Sequence, residues 1–413
     1  MKSTFQGVFG RSNPAWVVVL AGVCAAVQVG KLPPALPVLQ QALDITLLQS
    51  GFLLSMVQLA GMTLGLAVGL SADSMGLRRS LLTGLWVLFV AGALGGWAQS
   101  APTLIALRAL EGFGFLLVTL PAPSLLRQLV PVNGLSRMLG LWGAYMPLGA
   151  ALGLLFGPGV IEHMGWPVWW WGTAALSLLM ALWVWQVVPT DLQPQNAQPL
   201  KTSAPAAWSL RLRQTLTAPG PWLVALSFAV YSSQWLAVIG FLPSIYAQAG
   251  ITGGASAVLT ALAAAANMVG NVASGRLLQR GVPAQRLLTV GFGVMALGAF
   301  FAFSTWPDFL SAGLSPAAKF VAVVLFSGVG GMIPGTLFSL AVRLAPSEGT
   351  VSTTVGWMQQ CSSFGQFFGP PLVAWVASGA GSWQWTWLVT GACSLLGLVL
   401  ARQIGRQLAG RPA

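Results

Sequence analysis

The feature that most limits the possible folds of this chain is a series of long apolar stretches separated by short polar gaps. A helix that crosses a bilayer needs roughly 20 mostly apolar residues, and stretches of that length recur from one end of the chain to the other. The predicted spans are residues 15–38, 48–70, 80–99, 102–125, 136–158, 167–188, 221–246, 254–276, 285–304, 318–342, 350–376 and 384–403. The pattern predicts an all-α membrane protein with 12 transmembrane helices.

The charge content supports this class. Hydrophobic residues make up 56% of the 413 residues and charged residues only 6%. A soluble chain of this length could not cover its surface with so few charges, whereas lipid removes that need. The formal net charge of +12 comes from basic residues in the gaps between apolar runs, not from a basic soluble face. We therefore expect a lipid bilayer and no nucleic acid as partner.

The basic residues also predict the orientation. With the N-terminus inside, every Lys and Arg except Lys31, Arg108 and Lys319 falls in a predicted cytoplasmic segment. Basic residues are retained on the cytoplasmic side of membrane proteins. The sequence therefore predicts a multi-pass inner-membrane protein with both termini in the cytoplasm.

A polar, proline-rich gap divides the chain into two related halves. Residues 189–220 are predicted to form a flexible or partly extended cytoplasmic linker between a bundle at 1–188 and a bundle at 221–413. A constant shift places Gln28 on Gln234, and a slightly larger shift places Trp142 on Trp357. A duplicated six-helix unit is the simplest cause, and it predicts two pseudo-symmetric six-helix bundles with a cavity between them.

Two motifs carry a family resemblance. The segment Gly69-Leu70-Ser71-Ala72-Asp73-Ser74-Met75-Gly76-Leu77-Arg78-Arg79 resembles the cytoplasmic loop signature of the major facilitator superfamily, with Ser74 where that signature usually has Arg. The fourth span contains Arg108, Gly112 and Gly114 in the spacing of the second superfamily motif. The resemblance covers essentially the whole chain and implies the major facilitator fold. It also implies that Asp73, Arg78 and Arg79 are gating residues at the cytoplasmic mouth.

A weaker resemblance narrows the group. The segment Gly30-Lys31-Leu32-Pro33-Pro34-Ala35-Leu36-Pro37, followed by Gln49-Ser50-Gly51, is similar to the cyanate/nitroimidazole permease group of bacteria. This resemblance implies a bacterial inner membrane as the location and a small solute as the substrate.

Ionisable residues inside spans are costly, at about 2.5–3.5 kcal/mol each on insertion scales, and therefore indicate function. Lys31 lies three residues after Gln28, so both share a helix face. The superfamily resemblance implies that the first helix of each half lines the cavity, so we expect Lys31 to point inward and attract an anionic substrate. The alternative for Lys31 is a side chain that extends to the outer headgroups.

Arg108 and Glu111 are three residues apart in the fourth span, so they can pair. One interpretation is a structural ion pair. The other is that Arg108 binds substrate and Glu111 is the proton-coupling residue, because it is the only carboxylate deep within a predicted span.

The remaining candidate substrate-binding residues are uncharged. They are polar or aromatic side chains at mid-span positions, several of which must hold helices together instead. They are Gln28, Trp142, Tyr145, Tyr231, Gln234, Asn267, Trp357 and Gln360.

These observations predict a secondary active transporter for a small anionic or polar organic solute, with proton coupling as an option. The alternative is efflux of a drug or weak acid by proton antiport. The fifth span has Gly140, Gly149 and Gly153 at the spacing of the drug-antiporter motif, but Leu154 replaces the expected proline. We expect a monomer. Because the sequence has no cluster of cysteines or histidines and no nucleophile motif, we also expect no metal, no cofactor and no enzyme activity.

Overall fold

The computed structural model describes residues 13–131, 138–139, 141–190, 206–304 and 314–410, with the side chains of 68–75 and 206–208 excepted. The regular elements in these ranges are α-helices and short 3-10 turns, with no strand. Helices α1 to α9 belong to the first half: Pro14–Gly30, Leu36–Ala42, Leu47–Met56, Leu59–Met75, Leu77–Gly95, Ala101–Thr119, Ala122–Leu129, Tyr145–Met164 and Trp166–Val187.

Helix α10 lies in the linker, and α11 to α17 form the second half. Their bounds are Ala206–Thr217, Pro219–Gln248, Gly253–Gln279, Ala284–Phe303, Pro316–Gly330, Met332–Leu344, Val351–Ala380 and Thr386–Ala409. We use the term linker end for the end of the bundle at which α9 finishes and α11 begins.

Twelve spans result, as predicted. Eleven of them, among the described residues, are long and apolar enough to cross a membrane by length and hydropathy alone. The twelfth is α16, which at 30 residues is also long enough. Its hydropathy is lower because Gln359, Gln360 and Gln366 lie within it, and this polar helix lies against both halves of the molecule.

Four spans are interrupted along their length, and proline explains two of the breaks. The first span turns at Pro33–Ala35 between α1 and α2, and the fourth breaks before Pro121 between α6 and α7. Proline lacks the N–H that would continue the helical hydrogen bonds. The second span breaks at Val57 and Gln58, between α3 and α4, and the tenth at Gly331.

The linker differs in part from its prediction. Residues 191–205 lie outside the described residues, but Ala206–Thr217 form helix α10 rather than an extended segment. Alanine, leucine, arginine and glutamine dominate this stretch after Pro205, and these residues favour a helix. The prolines and polar residues that suggested an extended linker are concentrated before residue 206.

The two halves meet along three pairs of spans: the second with the eleventh, the fifth with the eighth, and the first with the seventh. Helix α16 packs on α3 and α4, α8 packs on α12, and the turn Pro33–Ala35 packs on α11. Away from the linker end the interface is apolar, with Leu36 and Leu54 of the first half in one cluster with Ala237 and Phe241 of the second.

Candidate functional site

Three charged side chains form one compact group, which we call the charge cluster: Lys31, Arg108 and Glu111. Lys31 Nζ lies 2.6 Å from Glu111 Oε1, and Arg108 Nη1 lies 2.5 Å from Glu111 Oε2. All three residues have 0% exposure, and they are the only charged residues buried among those described. One carboxylate therefore compensates two cations, which leaves a formal charge of +1 inside the protein.

Neighbouring groups fix the position of Lys31. Its Nζ donates a hydrogen bond of 2.8 Å to Gln28 Oε1 and lies 4.9 Å from the centre of the Trp170 ring, a cation–π distance. The indole of Trp169 donates to the backbone oxygen of Lys31 at 2.9 Å. The side chain is enclosed, so it does not extend to the headgroups as the alternative interpretation proposed.

Arg108 joins three spans. Its Nη1 donates to the Gln28 backbone oxygen at 2.7 Å as well as to Glu111, and its Nε makes a long contact of 3.5 Å with the Leu53 backbone oxygen. Its Nη2 is buried and has no hydrogen-bond partner in the described residues. The guanidinium therefore links α6 to α1 and to α3.

Glycines make room for the charge cluster. A Cβ at Gly92 of α5 would lie 3.6 Å from Glu111 Oε1, and a Cβ at Gly112 of α6 would collide with the backbone of Val57. Small residues allow transmembrane helices to approach closely. The close approach of α6 to α3 and α5 is what encloses the carboxylate.

The charge cluster lies inside the first half and not between the halves. Its contacts come from α1, α3, α6 and α9, all of which belong to the first half. This corrects the expectation that Lys31 points into the cavity. The break at Pro33–Ala35 follows directly after Lys31, and at this rotation of α1 the lysine side chain faces Trp170 of α9.

The matched glutamines have the same structural role in both halves. Gln28 Nε2 donates to Ser177 Oγ at 2.9 Å, and Ser394 Oγ donates to Gln234 Oε1 at 3.0 Å. In each half the first span is thus joined to the sixth. The structure therefore places Gln234 against α17, which removes the reason to expect it in a substrate site.

Two more predicted residues, Tyr231 and Asn267, belong to a polar group in the second half. Asn267 Nδ2 donates to Tyr231 Oη at 2.8 Å and to the Ser327 backbone oxygen at 2.9 Å, while the Trp235 indole donates to Ser327 Oγ at 3.0 Å. These bonds join α11, α12 and α14. The group holds helices together, as expected for buried amides.

The matched tryptophans pack against the first span of their own half. Trp142 stacks on Tyr145 with a centroid distance of 4.4 Å and lies against Gly22. Trp357 contacts Trp222 edge to face at 4.8 Å. The two sites are therefore equivalent packing positions, and the role of Trp142, Tyr145 and Trp357 in substrate binding stays a prediction.

Gln360 is the predicted residue that lies at the contact between the halves. Its Nε2 donates to the Met62 backbone oxygen at 2.8 Å, and its Oε1 accepts from the Leu66 N–H at 2.9 Å. Nearby, Ser363 Oγ lies 3.3 Å from Gln58 Oε1. These uncharged contacts connect α16 with the second span.

The predicted gating residues lie at the linker end. Arg78 Nη2 donates to the Trp185 backbone oxygen at 2.7 Å, which joins α5 to α9. Arg79 is exposed, and the side chain of Asp73 lies outside the described residues. The gating role of this loop stays a prediction.

Sequence reasoning missed two neighbours of these contacts. Trp170 covers Lys31, but an aromatic residue in a span gives no sign of its partner. Gln58 is 2% exposed, and its Nε2 has no hydrogen-bond partner in the described residues. The sequence signal for Gln58 is its position: it is an uncharged polar residue inside the predicted span 48–70.

Comparison with known proteins agrees with the fold. Residues 18–359 match the Major Facilitator Superfamily. The 2-nitroimidazole transporter of Escherichia coli (strain K12) is 25% identical over 389 residues, which cover 90% of each chain. The tetracenomycin C resistance and export protein of Streptomyces glaucescens is 27% identical over 46% of this chain and 36% of that protein. An uncharacterized MFS-type transporter of Mycobacterium tuberculosis is 28% identical over 185 residues, which is only 27% of its length.

Solved structures share the architecture. A bacterial homologue of the human lysosomal transporter Spinster, in an inward-facing conformation, superimposes with a TM-score of 0.76 at 16% identity, over 97% of this chain and 98% of that one. A D-xylose–proton symporter gives 0.74 at 16% identity, over 94% and 96%. The twelve-helix fold, the two motifs and the match to most of the chain agree, so this protein belongs to the Major Facilitator Superfamily.

Proposed function

We propose that this protein is a secondary active transporter that moves a small polar organic solute by alternating access and couples this movement to protons through Glu111. The observation that carries the proposal is the charge cluster, in which one enclosed carboxylate is shared by two enclosed cations. Glu111 is the only buried carboxylate among the described residues.

Protonation of Glu111 changes the packing of its surroundings. It removes the charge that compensates Lys31 and Arg108, and leaves two buried cations without a counter-ion. An uncompensated buried charge is strongly destabilising. The protein therefore favours different arrangements of these helices in the protonated and deprotonated states, which is the requirement for a coupled transition.

The contacts of Arg108 provide a route from the proton to the interface. Arg108 touches α1 and, at Leu53, α3. Helix α3 packs on α16 of the second half. A change in the position of Arg108 therefore acts on a helix that joins the halves, at the span that is already broken at Val57 and Gln58.

The position of the charge cluster argues for a polar rather than an anionic substrate. The anionic preference rested on Lys31 and Arg108 facing the cavity, but both are paired with Glu111 inside the first half. The polar side chains at the interface described above, Gln58, Gln360 and Ser363, are uncharged. Such groups bind solutes that carry hydrogen-bond donors and acceptors. The relative that transports 2-nitroimidazole supports a nitro-substituted heterocycle as the first probe.

Efflux by proton antiport is the second candidate, with a drug or a weak acid as the substrate. The tetracenomycin C resistance and export protein and the puromycin resistance protein of Streptomyces alboniger match 46% and 44% of this chain. The same carboxylate would serve either direction. The two candidates differ in which proton gradient drives accumulation.

Proteoliposomes loaded with buffer and supplied with labelled 2-nitroimidazole test the proposal. Proton symport gives accumulation when the outside is acidic, and antiport gives it when the inside is acidic. Glu111→Gln removes the charge but keeps a side-chain oxygen that can accept a hydrogen bond from Lys31 or Arg108, so it should lose less stability than an apolar replacement. It should keep counterflow exchange and lose gradient-driven accumulation. Glu162→Gln, which alters an exposed carboxylate of α8, is the matched control. Accumulation by Glu111→Gln at the wild-type level would show that the coupling residue lies elsewhere.

We also propose the bacterial inner membrane as the location, with both termini in the cytoplasm. The support is the concentration of arginine at the linker end of the described helices. These residues are Arg78, Arg79, Arg127, Arg276, Arg280, Arg286, Arg343, Arg402 and Arg406. Single-cysteine labelling at the two ends of α5 tests the orientation, and protection of the Arg78 end from an impermeant reagent in intact cells is the expected result.

A further inference from the structure

The second span and α16 pack closely along most of their length. A Cβ at Gly51 of α3 would lie 2.8 Å from the Pro371 Cα, and a Cβ at Gly65 of α4 would lie 3.3 Å from the Gln360 Cβ. Between these two points Gly61 lies against Ser363. Three glycines on one span thus allow a helix of the other half to approach the backbone.

Because α16 lies so close to α4, the side chain of Gln360 reaches the backbone of α4. It donates to the Met62 backbone oxygen and accepts from the Leu66 N–H. In a regular α-helix the N–H of a residue pairs with the carbonyl four residues earlier, so Met62 and Leu66 are each other's partners. The side-chain amide of Gln360 therefore bridges the two groups of a single helical hydrogen bond in the opposite half.

We infer that Gln360 is a latch that holds the two halves together on the linker side of the molecule and that α4 is built to release it. A buried backbone group that loses its partner is costly inside a membrane. Met62 and Leu66 lie within the regular helix α4, so their own helical hydrogen bond leaves neither group orphaned when α16 moves away. The freed Gln360 amide is solvated by the cavity that opens.

The break in the second span determines what moves. Val57 and Gln58 separate α3 from α4, and the latch lies on the α4 side of this break. The contact between Gly51 and Pro371 lies on the α3 side. Release of the latch therefore lets α4 leave α16 at the linker end while α3 stays packed on it, which is the one-sided opening that alternating access requires.

The test measures the separation of the halves directly and needs no substrate. Cys24, Cys361 and Cys393 are replaced by serine, and spin labels are attached at Gln128→Cys and Gln279→Cys, two exposed sites at the linker ends of α7 and α12. Electron–electron double resonance gives the distance distribution in detergent and in nanodiscs. Gln360→Leu removes both hydrogen bonds and should raise the ratio of open to closed protein about threefold to tenfold.

Gln366→Leu is the matched control, because it makes the same change on the same helix. The Gln366 side chain donates to Ser362 Oγ of its own helix and not to the other half. Its distance distribution should equal that of the parent. If Gln360→Leu also equals the parent, the latch is refuted.

Gln360→Asn keeps the amide but shortens the arm by one methylene, so it protects the test against a folding defect in Gln360→Leu. Asparagine cannot reach both Met62 and Leu66, and the variant should shift the ratio in the same direction by a smaller factor. A shift toward the closed state in either variant would also overturn the inference. Since this readout involves no transport, its failure leaves the proposed role of Glu111 unaffected, and the reverse also holds.

Discussion

The first and second halves share a hydrogen bond between their first and sixth spans and differ in the buried polar residues beside it. In both, a glutamine of the first span bonds a serine of the sixth, Gln28 with Ser177 and Gln234 with Ser394. Beside Gln28 the first half carries a lysine, an arginine and a glutamate. The second half carries instead the uncharged group of Tyr231, Asn267 and Ser327, which joins its first, second and fourth spans. The comparison teaches that the shared contact is scaffold, and that among the described residues only the first half adds buried charge to it.

The largest expected effect comes from removing the carboxylate of the charge cluster. Glu111→Leu leaves Lys31 and Arg108 buried without a counter-ion, which typically costs 3–5 kcal/mol. The apparent melting temperature of the purified protein in detergent should fall steeply. A change no larger than that of Glu162→Gln would show that the cations are not held by Glu111, and the contrast between the halves would fail.

A smaller loss of stability is expected when Gln28 is replaced, because this glutamine bonds both Ser177 and the charged Lys31. Gln28→Leu removes the acceptor of a buried ammonium group as well as the bond to Ser177, and hydrogen bonds to charged groups contribute about 1.5–3 kcal/mol. Gln234→Leu removes only neutral bonds and should cost about 1 kcal/mol. Equal losses of stability in the two variants, measured by the same thermal assay, would contradict the asymmetry.

A change in the uncharged group of the second half should lower stability by a comparable amount without changing the pH dependence of transport. Asn267→Leu leaves Tyr231 Oη and the Ser327 backbone oxygen without their donor, at a cost of about 1–2 kcal/mol. The pH dependence of transport in proteoliposomes should be unchanged, because no charge is involved. A shifted pH profile in this variant would mean that the second half takes part in proton coupling.

The smallest effect tests the shared scaffold. Ser177→Ala and Ser394→Ala each remove one hydroxyl from a glutamine–serine contact, and each should lower stability by about 0.5–1.5 kcal/mol. The two melting temperatures should fall by similar amounts. A difference of several-fold between them would show that the contacts are not equivalent, despite their matching positions.

Sequence alone predicted the parts of this structure that depend on local pattern. Apolar runs gave the spans, and the spacing of Arg108 and Glu111 gave their ion pair, because residues three apart on a helix share a face. The direction of Lys31 was predicted wrongly. Its partner Glu111 is distant in the chain, and the rotation of α1 at that point depends on packing against α9.

The contacts of Gln360 with the other half could not be predicted from the sequence either. Its partners are backbone atoms of Met62 and Leu66, which have no side-chain signature in a sequence. Only the packing of α16 on α4, permitted by Gly65, brings them within reach. Polar side chains in spans can be found by inspection, but whether each faces a solute, a neighbouring helix or the other half is decided by tertiary structure.

The enclosure of the charge cluster also bears on whether the protein lets protons cross the membrane when it is not transporting. Lys31, Arg108 and Glu111 have 0% exposure in the arrangement described here, so Glu111 cannot exchange a proton with the solution on either face of the membrane. If Glu111 couples transport to protons, as proposed above, this arrangement closes the path along which it would pass them across the membrane. Insulation of its carboxylate thus makes it safe to keep such a protein idle in an energised membrane.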